Sequence, residues 1–204
     1  MAYKFLVDTY ETERIKTLST WGTFKDDDLK RRPHPRDRRG RNAHEHMVHQ
    51  CMGENVWFCN MLGIDVGALP LPQNETRMEF IKCYAKDSGK RLDALREKDN
   101  AWWEEEVSFF NVRRSRAWIV TRRIAHTAHH RGQMTMLLRM IGREIYSTYG
   151  PTADTGGLMQ NKAETIYPYP NIEALIDGET SGGNNKAPLP GPGDKPCTER
   201  PDAK

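Results

Sequence analysis

Arg123-Ile124-Ala125-His126-Thr127-Ala128-His129-His130-Arg131-Gly132-Gln133 lies inside a long segment of helical periodicity. Residues four apart on a helix stand one above the other on the same face. His126 and His130 therefore present two imidazoles that can grip one ion. A third histidine from another helix would complete a tripod with an open coordination position, the arrangement of a catalytic rather than a structural metal site. The segment runs from about Ser115 to Ile141 and stops at Gly142, and Ile119, Arg123, His126, His130, Gln133, Leu137 and Met140 recur along it three or four apart. That stripe is expected to face the interior, where an imidazole needs hydrogen-bond partners or a metal.

Working outward, three more segments share this periodicity. The first runs from about Tyr3 to Trp21, with Leu6, Tyr10, Leu18 and Trp21 among its apolar positions. The second runs from about Ala43 to Leu62, capped by Asn42 and ended by Gly63. The third starts at Asn74 as cap and reaches about Lys98, with Met78, Ile81, Ala85, Ser88, Leu92 and Leu95 as its stripe. Four amphipathic helices of this length predict an all-α fold, a four-helix bundle with a long connection between helices one and two and an irregular C-terminal extension. The stretch Asp99 to Arg114 carries Trp102, Trp103, Phe109 and Phe110, expected to pack on the bundle, and no strand is expected anywhere. The domain reading is a bundle over 1–146, an extension packing on it over 147–179 with a short helical turn near 171–178, and a disordered tail over 180–204, where Gly, Pro, Asn and Lys dominate.

Composition sets the remaining bounds. The 204 residues suit one domain, and 37% hydrophobic against 29% charged residues indicates a water-facing chain with a modest core. No run approaches the eighteen apolar residues of a membrane span, and the start does not read as a secretory leader. Cys51, Cys59, Cys83 and Cys197 match no metal-ribbon spacing, which points to a reduced, cytoplasmic setting. The net charge of +3 is small, but Lys25 to Arg41 holds eight Lys or Arg against four Asp. Pro33, Pro35 and Gly40 exclude a recognition helix there, no aromatics interleave for base stacking, and no nucleic-acid partner is expected. A solvated loop, or a surface for an acidic partner, remains.

The second segment opens His44-Glu45-His46-Met47-Val48-His49-Gln50. Its inward face includes His46 or His49, and either can meet His126 and His130 across the interior. His129 is turned about 100° from His130 and is left out. Arg123, one turn before His126, either pairs with a glutamate of another helix or binds a substrate carboxylate. Gln133 lies close enough to contact a metal-bound ligand. Gly53 either leaves room for substrate or permits close helix packing, and Arg131 either holds an acidic neighbour or faces an anionic substrate. The site reading is His126 and His130 as metal ligands with either His49 or His46 as the third, and Gln133 and Arg123 as catalytic candidates. Zinc suits three imidazoles, and nickel, iron, manganese or cobalt can also bind them.

The run His126-Thr127-Ala128-His129-His130-Arg131-Gly132-Gln133 resembles the H-x-x-x-H-R-G-Q signature of the DinB-like (DinB/YfiT) metal-binding four-helix proteins. His49, Glu54 and Trp57-Phe58 resemble that family's helix-two pattern of His, then Glu five positions on, then an aromatic, and this favours His49 as third ligand. The resemblance covers roughly residues 3–145 and extends to Arg32-Pro33. It implies a divalent-metal-dependent enzyme, a thiol-dependent transferase acting on a small electrophile with a low-molecular-weight thiol as co-substrate. A metal-dependent hydrolase, or a non-catalytic binding protein using loop 25–41, is the alternative. A homodimer is the expected assembly and a small molecule the expected substrate.

Overall fold

The computed structural model of the chain describes residues 2–67 and 69–192. Four long helices carry the molecule: α1 (Lys4–Thr23), α2 (Ala43–Asn60), α3 (Arg77–Arg96) and, later in the chain, α5 (Arg116–Met140). Between α3 and α5 lie a short helix α4 (Asn100–Glu104) and a hairpin of β1 (Glu106–Phe109) and β2 (Val112–Ser115). The extension after α5 closes with α6 (Ile172–Thr180). The architecture is the all-α bundle expected, and no helix among the described residues is long and apolar enough to cross a membrane.

The helix starts follow side-chain chemistry. Asn42 Oδ1 accepts from the Glu45 amide while the Glu45 carboxylate accepts from the Asn42 amide, a reciprocal cap that fixes where α2 begins. Ser115 caps α5 in the same sense through the Trp118 amide. For α3 the cap is Thr76, not Asn74: its hydroxyl accepts from the Glu79 amide, and Asn74 lies in the preceding bend. Gly63 and Gly142 take left-handed backbone just past α2 and α5, φ 68 and 73, where a side chain would be strained.

The hairpin corrects the expectation of no strand. Glu106-Val107-Ser108-Phe109 alternates exposed and half-buried residues, the period of a strand, but over only four positions. Its two-residue connection is Phe110-Asn111, without the glycine that normally announces such a turn. Of the four aromatics expected to pack on the bundle, Trp103 is buried, Trp102 and Phe109 are half-buried, and Phe110 stands out at the turn, 71% exposed.

Two apolar clusters fill the bundle. One gathers Leu18, Trp21, Met47, Phe80, Tyr84 and Leu137; the other gathers Leu6, Tyr10, Phe58, Leu92, Trp103 and Ile119. The α5 stripe holds at Ile119, Arg123, His130 and Leu137, but Gln133 and Met140 face outward, because the buried face drifts onto Met134 and Leu138. After α5 the chain folds back over α1 and α3. Leu175 of α6 is fully buried, and Glu179 accepts from Arg77 Nη1 at 2.6 Å, Lys186 Nζ at 2.8 Å and the Tyr169 hydroxyl at 3.0 Å. Within the tail expected as disordered, Lys186 Nζ also donates to the Gly22 carbonyl at 2.8 Å and the Ala187 carbonyl accepts from the Tyr146 hydroxyl at 2.7 Å. The part of that tail beyond residue 192, with Cys197, lies outside the described residues.

Candidate metal centre

α2 and α5 face each other and place His49, His126 and His130 together, with one ring nitrogen of each within 4.8 Å of the other two. The Nε2 atoms of His126 and His130 are 3.3 Å apart. The His49 ring centroid lies 4.5 Å from that of His130 and 5.3 Å from that of His126. His130 is buried, while His49 and His126 are half-exposed, so the cluster opens toward solvent on one side.

His44, His46 and His129 are not among the three histidines whose ring nitrogens converge. His46 is buried beside His130, ring centroids 5.4 Å apart, and its Nδ1 has no hydrogen-bond partner. His44 turns to Glu75, with Nε2 2.5 Å from the carboxylate, and packs edge-on against Phe80. His129 is exposed on the outer face of α5.

The electrostatics keep these rings neutral. Burial, then the Arg123 charge, pushes His126 down to about 3. Burial pushes His130 down to about 4 against the hydrogen bond with Gln133, which raises it. His46 is pushed to about 4 by burial and by its neighbours' positive charge, and His49 is lowered by burial, Arg41 and Arg123. A neutral imidazole is the form that ligates a metal.

Hydrogen bonds assign the protons. Arginine only donates, so Arg123 Nη1, 3.3 Å from His126 Nδ1, makes that nitrogen an acceptor. His130 Nδ1 donates to Gln133 Oε1 at 2.8 Å, leaving His130 Nε2 with a free lone pair. His126 Nε2–H then donates to His130 Nε2. Binding a cation between these two nitrogens as neutral imidazoles requires the His126 proton to move from Nε2 to Nδ1, which breaks the Arg123 contact.

The donor set fits a divalent cation. Two nitrogens bound at 2.0–2.1 Å to one tetrahedral ion stand about 3.3 Å apart, the separation of His126 and His130 Nε2. Three neutral imidazoles within reach and an exposed side leave room for a further ligand. No fourth protein ligand is drawn into the group among the described residues, as a closed structural site would need.

Beneath the histidines lies a buried charged layer that holds Arg123. Glu54 of α2, fully buried, accepts from the Tyr10 hydroxyl of α1 at 2.6 Å and the Tyr84 hydroxyl of α3 at 2.9 Å. It also pairs with Arg91 of α3 at 3.4 Å and Arg123 of α5 at 3.5 Å, so one carboxylate ties four helices together. Tyr10 and Tyr84 belong to different apolar clusters, which places Glu54 at their junction. Arg123 Nη2 donates to Gln50 Oε1 at 2.7 Å, and its guanidinium lies 5.9 Å from the centre of the Trp57 ring. Of the two roles open to Arg123, pairing with a glutamate of another helix is the one the structure shows. Arg131 likewise turns to the carboxylate of Glu13 on α1 and holds two helices together. Gly53 faces Arg123, not open space.

A model of the DinB family matches residues 3–162. The chain belongs to the DinB family. Among solved structures, a DinB-like protein from Bacillus cereus shares 20% identity at a TM-score of 0.63, over 71% of this chain and 95% of that one. A DinB-like protein from Bacillus subtilis shares 13% identity at a TM-score of 0.54, over 71% of this chain and 96% of that one. At these identities the likeness establishes a DinB-like fold. None of the curated proteins matches the chain.

Sequence reasoning did not find the parts of this DinB-family site that reach it from afar. Gln50, Tyr10, Tyr84 and Arg91 support Arg123 and Glu54 through the interior. Their only sequence signal is a polar residue on an inward helical stripe, which many satisfied core groups also show. Arg41, which bears on His46, His49 and His130 through its charge, precedes the cap of α2 and has no periodic signal at all.

Proposed function

We propose that this DinB-family protein is a divalent-metal-dependent enzyme, with His49, His126 and His130 as the ligands and a thiol as co-substrate in transfer to a small electrophile. The observation that carries the reading is the convergence of three neutral imidazole nitrogens on an open side of the bundle. A divalent ion held by three neutral ligands keeps its full charge and supplies Lewis acidity, lowering the pKa of a coordinated thiol or water. Zinc suits the donor set best.

The charges around the cluster favour an anionic partner. Arg41 and Arg123 are arginines whose charge lowers the pKa values of these histidines, Arg41 acting on His49 and His130 and Arg123 on His49 and His126. Such a field attracts a thiolate. Gln133 and Arg123 serve as positioning residues, since each touches the outer nitrogen of a ligand ring. Gln133 fixes the tautomer in which His130 offers Nε2, while Arg123 lies against the outer nitrogen of His126.

The loop 25–41, read as a surface for an acidic partner, spends part of its charge internally. Arg32 binds the Gly40 carbonyl at 2.7 Å and pairs with Glu45, and Arg39 pairs with Asp37 at 2.7 Å.

The test is conjugation of chlorodinitrobenzene by zinc-loaded protein, offered glutathione, bacillithiol or no thiol. Turnover that requires a thiol and disappears in His130→Ala supports the reading. Ester hydrolysis by the loaded protein without any thiol moves it to a hydrolase, and zinc-loaded protein inert in both assays contradicts an enzymatic role.

A further inference from the structure

An unbroken strip of rings leads away from the histidine cluster. The Trp57 ring lies 5.7 Å from that of His126, tilted to it at 32°. Trp57 then meets Phe109 at 5.2 Å and Phe110 at 6.4 Å, both edge-on, and Phe109 meets Trp118 at 5.0 Å. Three elements build the strip: α2 supplies Trp57, the hairpin supplies the two phenylalanines, and the first turn of α5 supplies Trp118. On α2, Met52 and Val56, each 40% exposed, lie about one and two turns beyond His49.

Phe110 is the telling residue. It occupies the first position of the hairpin's two-residue turn at φ 52, a left-handed conformation that favours glycine or asparagine. A large aromatic side chain there is conformationally unfavourable, and at 71% exposure it gains little from burial. Strain of this kind persists where a site uses the side chain it holds in place. The ring it holds out faces Trp57 and Phe109, and Trp57 in turn faces a proposed metal ligand.

We propose that this strip is a substrate-recognition surface: the ligand that meets the metal centre carries a planar aromatic group seated against Trp57 and Phe110. The inference rests on the three-histidine site as a metal centre and adds the substrate class. A second copy of the chain fits the strip less well. A stable interface takes about 20–30 residues a side, and the strip offers six.

The test uses two chelators with one metal-binding head, acetohydroxamate and benzohydroxamate, titrated into the zinc-loaded full chain. The aromatic chelator is expected to bind about tenfold more tightly. Phe110→Gly is expected to remove most of that preference, leave acetohydroxamate affinity unchanged and raise the thermal midpoint, because glycine relieves the turn. Phe109→Ala, which leaves the turn untouched, is expected to lose part of the preference as well. Equal affinity for the two chelators in loaded protein overturns this inference and leaves the metal centre standing. A preference that survives both variants also overturns it, as does self-association that Phe110→Gly abolishes while the preference stays. Protein that takes up no zinc overturns the metal centre, and this inference with it.

Discussion

A side chain on Gly53 would place its first carbon 3.2 Å from Nη1 of Arg123. The glycine is thus the space into which the buried guanidinium fits between α2 and α5. Gly53→Ala carries two opposed effects. Alanine gains about 1 kcal/mol of helix propensity over glycine, and the crowding asks the guanidinium to move by a few tenths of an ångström. The two are expected to offset in overall stability, while the contact of Nη1 with His126 is disturbed. Gly53→Leu has no such offset and should cost about 1–3 kcal/mol by overpacking. Urea unfolding midpoints of the two variants check the difference.

Glu54 answers two buried arginines and two buried tyrosines, so its removal leaves uncompensated charge in the interior. Glu54→Gln is expected to destabilise the protein by about 3–5 kcal/mol. Tyr10→Phe removes one of several donors to the same carboxylate and should cost about 1 kcal/mol. A double-mutant cycle in guanidinium, measured by far-ultraviolet circular dichroism, is expected to show strong coupling between the two. Additive losses would contradict the network.

Gln133 is exposed, and its contact with His130 Nδ1 at 2.8 Å is a side-chain hydrogen bond on the surface of the site. Gln133→Ala should therefore leave stability within about 0.5 kcal/mol and lower metal affinity about 10–100-fold. Competition with a chromogenic chelator reads the second number, and a thermal melt of metal-free protein reads the first.

The lowered histidines set a pH dependence in metal-free protein. His126 near 3 and His46 and His130 near 4 stay neutral in the fold, whereas the unfolded chain takes up their protons from about 6.5 downward. The unfolded state binds more protons throughout that window, so stability falls as pH drops from about 6.5 toward 4 and is insensitive to these groups above it. Each such proton adds about 1.4 kcal/mol per pH unit to the slope. Urea midpoints of metal-free parent and His46→Asn protein between pH 7 and 4.5 should diverge, with the variant falling less.

Periodicity exposes the bundle because its four long helices bury one stripe each, and His126 and His130 lie on such a stripe with ligand spacing. His49 was not separable from His46 by spacing alone, since both lie near the inward face of α2. The choice depends on how α2 is rotated against α5, a tertiary quantity. The hairpin escaped because its strands are four residues long and its turn carries Phe110, where the usual signal is glycine. Gln133 and Met140 fell on the expected stripe but outside the core, because a 25-residue helix lets its buried face drift. Glu54 was legible as one member of a family-like pattern, but its four partners come from three other helices and leave no local trace.

Zinc titration of metal-free protein by calorimetry tests the central claim most directly. The account predicts one ion bound per chain in the parent, with affinity reduced at least about 100-fold in His126→Ala and in His49→Ala, and unchanged in His129→Ala. A parent that binds no zinc, or a His126→Ala protein that binds it as tightly as the parent, would contradict it.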